Sequence, residues 1–155
     1  MNPFAWLLAI SRRKSPWIYC TSAGSCNGCD IELGPCLTPR YDAEQLGVLR
    51  QGSPKHADIL LITGPVTLRS RDALISVYAQ MPGPKAVVAL GSCPAGGNVY
   101  ARSPTVDGPV SKYIGVDVWV PGCPPRPQQI LAGIAQAAEL LARGLTADQK
   151  RQVTS

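Results

Sequence analysis

The sequence predicts an α/β fold, an open parallel sheet with helices on its faces. Residues 57–64 (ADILLITG) and 85–90 (KAVVAL) are continuous apolar runs, the pattern of strands buried on both faces of such a sheet. Residues 115–120 (GVDVWV) make a third run. Helically spaced segments follow the first and the third, and strand alternating with helix is the grammar of an α/β layer. At 155 residues the chain suits one domain with a substantial core.

Residues 1–15 are apolar and close on Arg12, Arg13 and Lys14. As a helix they put Phe4, Leu7, Leu8 and Ser11 on one face, with Trp6 and Ile10 on another. Such a segment suits an anionic membrane surface or a docking site on a partner subunit. Its apolar stretch precedes its charges, the reverse of an export signal. Residues 16–21 (PWIYCT) read as a short strand and SAGSCNGC as a loop. After Cys29 only a brief helix fits before Pro35 and Pro39 interrupt it. A connection with a helical turn at Ala43–Leu46 leads to ADILLITG, which stops at Gly64-Pro65.

TLRSRDALISVYAQM (67–81) reads as a helix with Leu68, Leu74, Ile75, Val77 and Tyr78 on its apolar faces. KAVVAL runs into GSCPAGG, and GVDVWV into PGCPPRP. A last helix spans Gln128 to about Arg143, behind prolines and before a stop at Gly144. The expected organisation is an N-terminal interfacial or docking segment (1–15), an α/β domain (16–144) and a loosely ordered tail (145–155).

Glycine and proline, 15 of each, stay below the roughly 25–30% of a low-complexity chain. No apolar run nears the ~20 residues that cross a bilayer. The net charge of +5 is scattered, and no basic–aromatic alternation points to nucleic acid. One histidine, His56, lies in a polar connector, so a Cys–His or Ser–His catalytic pair has little support. Neither G-x-G-x-x-G nor a P-loop occurs.

The six cysteines carry the chemistry. Without an export signal, disulfides are not expected and the thiols point to metal or redox work. Cys93 and Cys123 each sit just past the carboxyl end of a buried strand, the edge where open parallel sheets bind ligands. Cys26 and Cys29 form a C-x-x-C pair in a glycine-flanked loop, giving C-x2-C-x63-C-x29-C. Four thiolates can hold an iron–sulfur cluster or zinc. Wide spacing, a real core and neighbouring glycines that admit backbone N–H groups to inorganic sulfide favour the cluster. Cys20 and Cys36, each beside apolar residues, read as small buried hydrophobes.

The segments GSCNGCDIEL, LTPRYDAEQLG, Gly64–Thr67, ALGSCPAGG and VPGCPPRP together resemble one family over roughly residues 15–143. It is the small subunit of membrane-bound, energy-converting (group 4) [NiFe] hydrogenases, homologous to the 20 kDa cluster-carrying subunit of complex I. The resemblance implies a flavodoxin-like core and one [4Fe–4S] cluster on Cys26, Cys29, Cys93 and Cys123. It implies three kinds of partner: a large subunit holding a [NiFe] centre, a ferredoxin-like iron–sulfur subunit and ion-translocating membrane subunits. Attachment would be peripheral, on the cytoplasmic side of the membrane, and this chain would carry no catalytic residue.

Complex I subunits carry adjacent cysteines where this chain has C-N-G-C, which favours the hydrogenase branch. Pro39–Asp42 matches a segment at the subunit interface, and Glu32 matches the family's acidic position after the cysteine pair. A nickel-free quinone or sulfane-sulfur reductase is the alternative within the class, and a structural zinc scaffold the alternative outside it.

Overall fold

The computed structural model describes Leu7, Ile10, Ser11, residues 14–144 and Thr146. The expected interfacial segment over 1–15 and the expected tail after Gly144 lie largely outside the described residues. In chain order the elements are β1 (Trp17–Ser22), α1 (Gly28–Cys36), β2 (Leu49–Arg50), β3 (Ile59–Thr63) and β4 (Val66–Thr67). Then come α2 (Arg71–Gln80), β5 (Ala86–Leu90), α3 (Cys93–Gly96), β6 (Val106–Gly108), β7 (Val118–Val120) and α4 (Pro127–Arg143).

Five strands form one parallel sheet in the order β2-β1-β3-β5-β7. Numbered within the sheet alone, that order is 2-1-3-4-5, a doubly wound arrangement that reverses direction beside β1. Because strand side chains alternate, Ile59 and Leu61 face one side with Val88, Leu90, Val118 and Val120. There they meet Leu33 and Cys36 of α1 and Ile130, Ile134 and Ala137 of α4. Leu60, Ile62 and Val87 face the other side, against Leu74 of α2 and the residues Val110 and Ile114. Each fully buried Ile or Leu contributes about 1.5–3 kcal/mol. Burial on both faces is the reason these strands read as unbroken apolar runs.

Two aspartates fix where strands begin. Asp58 accepts from the Trp17 N–H at 3.2 Å, and Asp117 accepts from the Val87 N–H at 2.8 Å. The Asp117 backbone N–H returns a bond to Val87 O at 2.9 Å, and β7 itself runs from Val118, later than GVDVWV implies.

The helix expected from residue 67 starts instead at Arg71, because Thr67 belongs to β4 and pairs with β6. Leu68 and Ile75 are correspondingly exposed. The helix after Cys29 tolerates Pro35, which falls in its last turn; Leu37 and Thr38 N–H groups close back on Gly34 and Pro35 carbonyls. The turn expected at Ala43–Leu46 is present, closed by the Leu46 N–H on Ala43 O at 3.1 Å. Lys85 leads into β5 as a buried residue. Its ammonium donates to Tyr78 O at 2.9 Å and Met81 O at 3.1 Å, satisfying carbonyls at the end of α2.

Helix α4 crosses the sheet so closely that a Cβ on Gly133 would overlap the Val120 side chain. Gly133→Val is therefore expected to destabilise the protein by about 1–3 kcal/mol through overpacking. A thermal melt checks it, and an unchanged midpoint would show that α4 can shift.

Candidate metal centre

In a parallel sheet every strand delivers its outgoing loop to the same edge. The cysteine loop after β1 (23–27), the turn after β3 (64–65), the loop after β5 (91–92) and that after β7 (121–126) therefore line up along the carboxyl edge. Cys26 lies in the first, with Cys29 just beyond it in α1; Cys93 opens α3 directly after the third, and Cys123 lies in the fourth. The turn after β3 supplies no thiol and serves as a floor.

That floor explains the Gly64–Thr67 segment. Gly64 has φ +77°, and a Cβ there would strike the backbone of Gly24 and Ser25, so the cysteine loop passes directly across it. The Ala23 N–H donates to Thr63 O at 2.8 Å, and Ser70 donates its hydroxyl to Ala23 O. Ser70 is itself bound to Thr67, with 2.8 Å between the two hydroxyl oxygens. Thr63, buried at the end of β3, donates to Asp30 at 3.0 and 3.2 Å, seating the first turn of α1 on the sheet. Cys29 lies in that turn.

The other two loops are joined side by side. The Gly91 N–H donates to Val120 O at 2.8 Å and the Ser92 N–H to Gly122 O at 2.9 Å, extending the β5–β7 ladder up to Cys93 and Cys123. Gly91 has φ +89°, and a Cβ there would sit 2.8 Å from Cys29 Sγ and 3.4 Å from Gly122 O. On the other side of the pair, a Cβ on Gly28 would lie 3.6 Å from Cys26 Sγ. Bare glycine backbone is thus packed against two of the candidate sulfurs.

Cys29 and Cys93 are buried, whereas Cys26 and Cys123 are exposed. Burial pushes the Cys29 thiol up to about 11, helped by the charges of Cys93, Asp30, Cys26 and Cys123. Burial also raises Cys93, with Cys123 and Cys26 adding to it, while a hydrogen bond from Asn98 pulls the other way. The four thiols therefore share one electrostatic field. They are not drawn in around a point: among the described residues no three His, Cys, Asp or Glu side chains are placed to hold a single metal ion.

The other candidates lie apart. Cys20 packs beside the core from β1, and burial lifts it to about 11. Cys36 is buried under α4, donating to Glu32 O and Pro127 O at 3.6 Å, and burial lifts it to about 11 as well. His56 is exposed, and Glu32 is half-buried on α1, one turn beyond Cys29. The segment 39–42 forms a turn in which the Asp42 N–H bonds Thr38 O at 2.8 Å. Two residues that sequence reasoning passed over lie in the field of the cysteines: Asn98, which acts to lower Cys93, and Tyr100, which the charge of Cys26 raises. Only the glycine pair preceding them, which ends in the left-handed Gly97, hinted at a tight turn there.

The fold and site together define a parallel α/β layer that presents four thiols along one edge. The chain belongs to the NADH ubiquinone oxidoreductase 20 kDa subunit family, whose model matches residues 26–137. This is a family of oxidoreductase-complex subunits. The chain is 56% identical, over 130 residues, to a probable membrane-bound hydrogenase subunit of Pyrococcus furiosus, covering 84% of this chain and 78% of that one. It is 40% identical to formate hydrogenlyase subunit 7 of Escherichia coli, covering 83% of this chain and 51% of the other. Among solved structures, the archaeal membrane-bound sulfane sulfur reductase matches with a TM-score of 0.78 at 39% identity, over 90% of this chain and 77% of that one. No helix among the described residues is long and apolar enough to cross a membrane.

Proposed function

We propose that this chain is the electron-transfer small subunit of a membrane-bound, energy-converting [NiFe] hydrogenase. Its α/β layer is read as flavodoxin-like, with Cys26, Cys29, Cys93 and Cys123 holding one [4Fe–4S] cluster. The observation that carries the proposal is the carboxyl edge itself, where four thiols from three loops share one field and Gly91 backbone packs against Cys29 Sγ.

The residues fit the group. Four thiolates are the usual iron–sulfur ligand set, and glycine backbone leaves room beside the sulfurs. Cysteine thiols bind iron as thiolates, since the metal supplies the opposing charge. A single zinc needs its ligands converged on one tetrahedral point, and such convergence is not found among the described residues. When bound, the cluster supplies one-electron transfer between the large-subunit site and a ferredoxin-like subunit.

The protein's part is positioning. Asp30 and Thr63 seat α1, the Gly91 and Ser92 N–H groups tie the two strand-end loops together, and buried Cys29 and Cys93 anchor the site to the sheet. Exposed Cys26 and Cys123 leave its outer side open to a large subunit. No group of this chain handles substrate. Membrane-embedded ion-translocating subunits would hold the complex, with this chain peripheral on the cytoplasmic side.

A second reading, a nickel-free reductase, is favoured by the 0.78 TM-score to the sulfane sulfur reductase. Metal analysis of the complex purified anaerobically through this subunit separates the two. The hydrogenase reading expects iron together with roughly one nickel per complex and H2-dependent dye reduction. Iron without nickel would move the chemistry to a sulfur or quinone reductase, and zinc without iron would remove electron transfer altogether.

A further inference from the structure

We propose that Ser70 is a positioning residue for the cysteine loop, its hydroxyl fastening Ala23 to the segment after β3 and so holding Cys26 in place. The proposal deepens the reading above and rests on it. Ser70 directly precedes α2, where a serine ordinarily turns its oxygen onto the first N–H groups of the helix. It makes no such bond here. Its oxygen accepts instead from the Thr67 N–H at 3.0 Å, and Thr67 Oγ1 accepts from the Ser70 N–H at 3.2 Å.

That reciprocal pair aims the remaining proton. Ser70 donates to Ala23 O, and Thr67 O, at 3.3 Å, stands at the limit of a hydrogen bond. The two hydroxyl oxygens are 2.8 Å apart, so the Thr67 hydroxyl donates to Ser70 as Ser70 donates to Ala23. A directed chain of this kind strengthens each of its members. The far end is fixed as well: Arg71 bonds Asp107 of β6 at 3.2 Å, and β6 pairs with β4.

Ala23 is buried, and its peptide is held on both sides, the N–H by Thr63 O at 2.8 Å and the carbonyl by Ser70. The next residue has no slack, since a Cβ on Gly24 would lie 2.6 Å from Thr67 Cγ2 and 2.7 Å from Pro65 O. Towards Cys26 the bonds are exposed and internal to the loop, Ser25 N–H to Ser22 Oγ at 3.1 Å and Asn27 N–H to Ser25 Oγ at 3.0 Å. Removing the Ser70 donor leaves a buried carbonyl unpaired, and the loop opens about two- to tenfold more often. Exposed Cys26 moves with it.

The test measures hydrogen exchange over residues 22–30 and anaerobic iron release to a ferrous chelator. It compares the purified wild-type complex with Ser70→Ala, Ser70→Thr and Ser70→Asp. Threonine keeps the donor. Aspartate keeps an oxygen that can cap α2 and accept from Thr67, but has no proton for Ala23 O. Ser70→Ala and Ser70→Asp are expected to be about two- to tenfold faster in both measurements, with Ser70→Thr near wild type and exchange within β3 and β5 unchanged. Wild-type behaviour of Ser70→Ala would overturn the proposal, and so would Ser70→Thr as fast as Ser70→Ala. Wild-type behaviour of Ser70→Asp would make the role helix capping, and faster exchange throughout β3 and β5 would make it general stability; either overturns the proposal. Faster exchange with unaltered iron release would do the same, because the loop would then move without its ligand. A wild-type complex that holds no iron would instead overturn the electron-transfer reading, while the exchange data would still decide whether Ser70 holds the loop.

Discussion

Replacing Cys93 with serine is expected to abolish electron transfer to viologen dyes while leaving the fold in place. Serine matches cysteine in shape, but its hydroxyl stays protonated and is a poor ligand for iron that prefers thiolate. Cys93 is buried at the end of β5 and joined through the Ser92–Gly122 bond to the loop bearing Cys123. Its loss therefore opens the anchored side of the site. Neither apolar face of the sheet depends on the Cys93 sulfur, so circular dichroism should change little. Dye reduction should fall to background, and the complex should assemble with less iron. Wild-type iron and wild-type rates in this variant would remove Cys93 from the ligand set.

Gly91→Val reaches the same end by geometry, with every thiol intact. The backbone at φ +89° costs an L-residue roughly 1–2 kcal/mol, and more when the side chain is β-branched. The new Cβ would also sit 2.8 Å from Cys29 Sγ, closer than real Cβ contacts allow, and its methyl groups would press further. Overpacking of this kind adds about 1–3 kcal/mol. Cys29 cannot retreat into the core without displacing Asp30 from Thr63, so the strain falls on the ligand arrangement. The expected outcome is a lower melting midpoint together with substantial iron loss. Full iron at an unchanged midpoint would show that glycine is dispensable there, and the packing argument for this edge would lose its main support.

The parts of the fold that burial dictates were legible in the sequence. β3 and β5 are covered on both faces, so their apolar runs are unbroken and mark each strand to within two residues. α4 was equally plain, because prolines precede it and Gly144 ends it in a left-handed cap. What escaped are elements made by pairing. β2, β4 and β6 are two or three residues long and exist only because a neighbour supplies hydrogen bonds. The early start assigned to α2 has the same cause, since Thr67 is drawn into β4 by Val106.

At the candidate site, spacing against strand ends put Cys93 and Cys123 on one edge, and the C-x-x-C loop joins them there. Asn98 and Tyr100 were not legible, because what a polar turn lies beside is settled only once the chain has folded. The thiol field was also invisible, being a property of three loops brought together by strand order.

The most direct test of the central claim is iron and acid-labile sulfide analysis, with EPR of the reduced complex, across single serine variants of all six cysteines. Cys26, Cys29, Cys93 and Cys123 variants are each predicted to lose the signal of one [4Fe–4S] cluster, with about four iron per complex. Cys20→Ser and Cys36→Ser, altering thiols that pack in the core, are predicted to keep both. Full iron and an unaltered spectrum in any of the first four, or loss of the cluster on changing Cys20 or Cys36, would contradict the account.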